Sequence, residues 1–307
     1  MKEFDVLTVD GIDLDLVLEV PKLPDEDQKV VGRIINSAPG GPAANFACAA
    51  SRLGKRVAAL AEVGGDQAGQ SIIMDFQQYG VDTSLIQIRP DGQTCFTVIL
   101  VPPSGEKAIV VVPTFNPVYS QALLVKACAS AKLVYMMPID HNHFFKIAEI
   151  ARVCGTSIMI DVEPGVGSNR TILHRILKAV DIVSFNQQGY EAAFGMHPTL
   201  SNARGVLTFG PSMVVVTRGG HGALAVTQHE EATVSGHSVT VVDTTGAGDT
   251  FNAAFTAAQE LPLAHRLRFA NAAAALSTTG FGPRGKLPNV DQVHRFMETV
   301  PTKKHEG

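Results

Sequence analysis

Apolar and polar residues alternate one for one along Ile12-Asp13-Leu14-Asp15-Leu16, a period of two that predicts a strand with one covered face. The alternation extends from Ile12 to Val20 and resumes from Lys29 to Asn36, on either side of the polar, Pro-bearing stretch Pro21 to Asp27. Phe4 to Val9 is a short apolar run that predicts a buried strand. From Pro42 onward the pattern changes. An Ala-rich helical run, Ala43 to Leu53, is followed by short apolar segments at Val57 to Val63, Leu133 to Met137, Ser157 to Asp161, Ile182 to Phe185 and Met213 to Thr217. Helical stretches fall between them, and strand and helix in succession predict a parallel sheet covered on both faces. Gln93 to Val101 and Lys107 to Val112 flank the turn formers Pro102-Pro103-Ser104-Gly105-Glu106, which predict a hairpin. The carboxyl third predicts helices from Gly246 to Glu260, Leu263 to Thr278 and Asp291 to Thr299, then a frayed charged tail, Lys303 to Gly307. The expected fold is α/β: a doubly wound, mostly parallel sheet flanked by helices, formed by residues 1–10, 37–92 and 114–302. A small four-stranded β lid is expected from residues 11–36 and 93–113.

Composition narrows the function. The 307 residues are 45% hydrophobic, enough for a substantial core, and carry a net charge of -4. With no Lys/Arg run interleaved with aromatics, nucleic acid is not an expected partner. The cysteines Cys48, Cys95, Cys128 and Cys154 form no CxxC pair, so reduced, buried thiols are expected rather than a zinc knuckle or a disulfide scaffold. No apolar run approaches the ~20 residues that cross a bilayer. Phe4 to Val9, interrupted by Asp5, is too short for a secretory leader, and a cytoplasmic location away from membranes is the expectation.

The strongest local signal is Val241-Val242-Asp243-Thr244-Thr245-Gly246-Ala247-Gly248-Asp249-Thr250-Phe251. It predicts an apolar strand end, a tight turn through small residues and the start of an Ala-rich helix. Amides of Gly246, Ala247 and Gly248 at the positive end of that helix would hold a phosphoryl group. Asp249, in the first turn, would lie beside them and could accept the proton of an attacking hydroxyl. A carboxylate is a weak base, but phosphoryl transfer has a loose transition state in which the nucleophile needs positioning more than early deprotonation. For a bare GAGD, a purely structural turn with an aspartate complementing the helix dipole is an equal reading.

The whole run resembles the second signature of the ribokinase-like, or PfkB, family of carbohydrate kinases. The resemblance implies that Asp249 is the catalytic base and that Gly246, Ala247 and Gly248 form the anion hole. Gly40-Gly41-Pro42-Ala43-Ala44-Asn45 resembles the family's first signature; Gly40 and Gly41 would let backbone approach a sugar, and Asn45 would bond its hydroxyls. Asp13 and Asp15, two apart on one strand face, stand where the family grips sugar hydroxyls. Thr217-Arg218-Gly219-Gly220-His221-Gly222 resembles the nucleotide loop, with Thr217, Gly219 and Gly222 against ATP. Asn186 matches an asparagine near the phosphates, and Asn271 falls beside the adenine site. The loop Gly280 to Leu287, with Asp243 and Thr245, implies a site for a monovalent cation such as K+. Arg284 and Lys286 on that loop are either solvated or turned to an anionic substrate group.

The resemblance implies ATP, Mg2+ and a small sugar as partners, and a homodimer through the lid's exposed face. Two departures stand out. Gly189 replaces a glutamate that helps to organise magnesium, leaving its ligands open among Asp161, Glu163 and a shifted loop, with Glu191 rotated away by about 200°. Pro113-Thr114-Phe115-Asn116 replaces the usual Gly-Ala-Asn. A furanose, a ketose or a related acid is the leading substrate class; a nucleoside kinase and a non-catalytic sugar and nucleotide sensor are the alternatives. His141 and His143, two apart at a helix start, are not expected to bind zinc.

Overall fold

The computed structural model describes residues 2–104, 107–300 and 302; the expected tail Lys303 to Gly307, and Gly105 and Glu106 of the expected hairpin, lie outside them. In chain order the strands are β1 (Phe4–Val9), β2 (Asp13–Glu19), β3 (Arg33–Gly40), β4 (Val57–Gly64), β5 (Ile86–Arg89), β6 (Phe96–Val101) and β7 (Ala108–Val112). Then come β8 (Ala131–Met136), β9 (Ser157–Val162), β10 (Ile182–Asn186), β11 (Met213–Thr217), β12 (Ala223–Thr227) and β13 (Glu231–Val234).

Nine of these form one sheet in the order β13-β12-β11-β10-β9-β8-β1-β4-β5. It is parallel from β11 to β5 and antiparallel at the β11-β12-β13 edge. Both faces are covered, and alternation shows it residue by residue. Leu7 and Val9 of β1 pack into one cluster with Val134 and Met136 of β8, whereas Val6, Leu133 and Tyr135 pack into the cluster on the opposite face. The second sheet, β3-β2-β6-β7, is separate. The alternating segments supply β2 and β3, and the expected hairpin supplies the antiparallel pair β6-β7.

Two expectations are corrected. The second alternating strand forms at Arg33–Gly40, four residues later than Lys29 to Asn36, because its register on β2 sets Gly40 opposite Asp13. The apolar run before Asp243 is no strand: Val241 and Val242 are 54% and 58% exposed. The amides of Val242 and Asp243 bond the Thr278 carbonyl at the end of the helix Leu263–Ser277, at 2.8 and 3.2 Å, instead of a neighbouring strand. Sequence cannot show this, since an apolar pair becomes a strand only where a sheet edge receives it. Phe251, Phe255 and Phe269 are core, as their spacing predicts. The cysteines are free, with Cys48 and Cys128 buried and Cys95 and Cys154 partly exposed. No described helix is long and apolar enough to cross a membrane.

Candidate active site

The helix Ala247–Ala257 starts at Gly246, whose φ of 74° is left-handed. A Cβ there would also fall 2.7 Å from the Cβ of Pro283, so only glycine fits this turn. Gly248 is open on its Cβ side. The Ala247 amide donates to the Thr244 carbonyl at 3.2 Å, so of the three expected anion-hole amides this one closes the turn. Asp249 follows in the first helical turn, half-buried, and Asn45 Nδ2 donates to its Oδ2 at 2.9 Å. Burial raises the Asp249 carboxyl, and the nearby Asp161 and Glu163 raise it further against the Asn45 hydrogen bond, to about 8.

On the lid side, Asp13, Asp15 and Gly40 converge. A Cβ on Gly40 would lie 2.0 Å from Asp15 Oδ2 and 3.0 Å from Asp13 Oδ1, so the missing side chain makes room for the two carboxyls. Asp13 Oδ2 accepts from Thr97 Oγ1 at 3.0 Å, while its Oδ1 is buried with no hydrogen-bond partner among the described residues. Burial, then the neighbouring Asp13, pushes Asp15 up to about 7. Gly41 meets protein rather than open space: a Cβ there would be 2.3 Å from the Gly11 carbonyl oxygen. Asn45, buried on the helix Pro42–Arg52, belongs to this side and reaches Asp249.

At the carboxyl ends of β9, β10 and β11 lies a cleft of about 1160 Å³, somewhat larger than a usual small-ligand site. It brings together Asp161, Glu163, Asn186, Thr217, Gly219, Gly222, Gly246, Ala247, Gly248, Asp249 and Asn271. It does not include Asp13, Asp15, Gly40, Gly41 or Asn45, nor Asp243 and Thr245. Asn186 Oδ1 caps its own helix on the Gly189 amide at 2.6 Å, and Asn271 Nδ2 donates to the Ser235 carbonyl at 2.9 Å. Gly189 has a steric reason: a Cβ would lie 2.3 Å from the Val162 carbonyl oxygen. Glu191 is turned to Gln187 and to His197 Nδ1, at 2.9 and 2.7 Å.

The pattern of pfkB family carbohydrate kinases matches residues 4–290. The chain belongs to this family. It is 29% identical over 304 residues to the ribokinase of Haemophilus influenzae, covering 95% of this chain and 98% of the relative. It is equally identical over 299 residues to that of Bacillus subtilis, covering 95% and 99%. In fold it is similar to the solved structure of Arabidopsis thaliana ribokinase complexed with ribose and ATP, with a TM-score of 0.84 and 24% identity over 96% of this chain and 99% of that one. The resemblance read from the two signatures and the expected doubly wound architecture are both borne out.

The cation expected at Asp243 and Thr245 of this family member meets a donor set that is already taken. Lys107 Nζ, just before β7 of the small sheet, lies 2.9 Å from Asp243 Oδ1 and 2.5 Å from Thr245 Oγ1. Asp243 also accepts from the Thr245 amide at 3.0 Å and the Gly282 amide at 3.1 Å. An ammonium thus stands where a monovalent ion would have to coordinate, and these residues do not fit one without displacing it. Arg284 is not a free anion receptor either: it pairs with Asp75. His143 Nε2 lies 2.8 Å from Asp10 Oδ2, and no cluster of three His, Cys, Asp or Glu among the described residues could hold a metal.

Sequence reasoning missed Asn252. Its Nδ2 donates to Asp161 Oδ2 at 3.0 Å and lies 3.4 Å from the buried Tyr135 hydroxyl. The signal was present, since a polar residue three positions after Asp249 shares its helix face. Lys107 and Asp75 carried no local signal, because their partners are remote in sequence.

Proposed function

We propose that this pfkB-family kinase transfers the γ-phosphoryl group of ATP to a hydroxyl of a small sugar, with Asp249 as general base. The observation that carries the reading is the Asn45–Asp249 hydrogen bond, 2.9 Å long. It joins the acidic lid-side site to the large cleft at the one carboxyl placed in the first turn of a glycine-started helix. Asp13, Asp15 and Asn45 hold sugar hydroxyls, the buried, unpartnered Asp13 Oδ1 being ready to accept from one of them. Thr217, Gly219, Gly222, Asn186 and Asn271 hold the nucleotide. The Gly246 and Gly248 amides at the positive helix end steady the phosphoryl oxygens. Asp249 takes the proton as the hydroxyl attacks.

Magnesium fits Asp161 and Glu163. Asp161 Oδ1 is buried without a partner among the described residues. Burial, then the neighbouring Glu163, pushes Asp161 up to about 7, so the pair gains from a nearby divalent cation. Oxygen ligands of this kind, one or two carboxylates completed by water and phosphate, suit Mg2+. When bound, the ion neutralises phosphate charge. The two lid carboxyls and the committed Arg284 favour neutral, polyhydroxylated sugars over sugar acids.

A panel of sugars, sugar acids and nucleosides with ATP and Mg2+ tests the function. ADP release with a neutral sugar is expected; thermal stabilisation by one compound with no turnover of any would support a sensor instead. The face of the small sheet opposite Asp13 and Asp15, where Ile34 and Val110 are each more than half exposed, supports the proposal of a homodimer. Light scattering at micromolar concentration should give twice the chain mass of 32.6 kDa, and a monomeric mass would exclude it.

A further inference from the structure

Arg284 lies on the loop between the helices Leu263–Ser277 and Val290–Thr299, yet its side chain is only 8% exposed. Its guanidinium pairs through Nη1 with Asp75 on the helix Gln67–Gln78. Nε donates to Asn45 Oδ1 at 3.1 Å and Nη2 to the Gly40 carbonyl at 3.4 Å. The Tyr79 hydroxyl donates to the Arg284 carbonyl at 3.3 Å and holds the loop from outside.

A guanidinium has donors and no acceptor, so the Asn45 atom that faces it is the amide oxygen. The NH2 group is then turned the other way, onto Asp249 Oδ2. An ionised carboxylate only accepts. The reversed amide would set oxygen against oxygen at Asp249 and NH2 against guanidinium at Arg284. Arg284 therefore selects this orientation of Asn45 whatever the charge on Asp249, the ionised base form of Asp249 selects the same one, and Asp75 fixes the neighbour that is not itself part of the chemistry.

The relay Asp75, Arg284, Asn45, Asp249 links four segments that are separate in sequence. The same loop also touches the phosphoryl end: Pro283 packs on Gly246, and the Gly282 amide donates to Asp243 Oδ2 at 3.1 Å. Shielding from water makes such a network directional, and its loss costly.

We propose that Arg284, anchored by Asp75, is a positioning residue for phosphoryl transfer: it fixes the Asn45 amide and, through it, the orientation of the Asp249 carboxylate. The proposal rests on the reading of Asp249 as the base. It assigns the buried charge a task within the site rather than contact with substrate.

The test is a double-mutant cycle on the full chain. Arg284 and Asp75 are exchanged together (Arg284→Gln with Asp75→Asn), so that no uncompensated charge stays buried. This pair is combined with Asn45→Ala, and thermal unfolding confirms the fold of each variant. ADP release from ATP and Mg2+ is followed with D-ribose as acceptor, or with water as acceptor if ribose is not turned over. In the Asn45 background the pair should lower kcat by roughly 10- to 100-fold, the scale of a misplaced reacting group, with KM for ATP unchanged. In the Asn45→Ala background it should cost little more, because the adapter is already gone. Equal losses in both backgrounds, or an unchanged kcat, would overturn the positioning role. Asp249→Asn measured alongside separates the two readings: a wild-type rate there defeats the base assignment itself, whereas an inactive Asp249→Asn with an unimpaired pair variant defeats the relay alone.

Discussion

Asp243 and Asp249 stand in one turn-to-helix segment, yet the fold drives their carboxyls in opposite directions. Burial alone would raise Asp243, but Lys107, the Thr245 side chain and amide, and the Gly282 amide hold it down to about 2. Asp249 is raised by burial with one compensating donor, Asn45, and with Asp161 and Glu163 nearby it reaches about 8. The difference lies in the number of donors and the sign of the neighbouring charge. Asp243 is a permanent anion that ties the lid to the late loop. Asp249 is a carboxyl whose proton affinity lies near neutral pH, which suits the general-base role proposed for it.

The largest expected effect separates the two by function. Asp249→Asn should lower kcat by about 10²–10⁴, the usual general-base contribution, whereas Asp243→Asn loses a link between loops and should cost about tenfold. Steady-state kinetics with the sugar found in the panel decides, and equal losses would erase the contrast. A smaller effect concerns the ammonium. With Lys107 in place, exchanging KCl for choline chloride should leave the rate within about twofold, since the carboxylate already has its cation. Lys107→Met should lower kcat by about tenfold and make it respond to K+. Strong K+ activation of the unaltered chain would reverse this picture.

The smallest effect is on stability, and its sign follows from the raised proton affinity. Asp249 in the folded chain titrates near 8, above the ordinary value of about 3.9. Between those values the folded chain holds a proton that the unfolded one has released. This carboxyl's contribution to stability is therefore full below about pH 4 and is lost as pH rises through 8. Asp249→Asn should thus stabilise by about 0.5–2 kcal/mol at pH 8, with the gain vanishing near pH 4, as measured by denaturant unfolding at both values.

Much was legible in the sequence because it was local. The two-residue alternation at Ile12 to Val20 predicts a strand, though β2 is half-buried on both faces rather than covered on one, and the succession of apolar runs and Ala-rich helices predicts the parallel sheet. The GAGD turn points to a helix start that displays amides beside an aspartate. Each of these depends on residues within one or two turns of each other, where period and backbone sterics are decisive. Where the chain departed from expectation, the cause was a remote neighbour. Val241 and Val242 look like strand residues and are not, since the Thr278 carbonyl takes their backbone bonds. Gly189 looks like the loss of a magnesium residue, but the Val162 carbonyl leaves no space for a side chain there.

The sequence by itself determined the family and the layered architecture and singled out Asp249 as the candidate base, all carried by contiguous motifs. Only the tertiary structure decided the electrostatic state of that carboxyl and of its neighbours. Asn45 and Asp249 are 204 positions apart, Lys107 and Asp243 136, and Arg284 and Asp75 209. Charges and hydrogen bonds act through space over a few ångströms, so whether an aspartate becomes a base, an anchor or half of a buried ion pair depends on which distant segments the fold brings beside it.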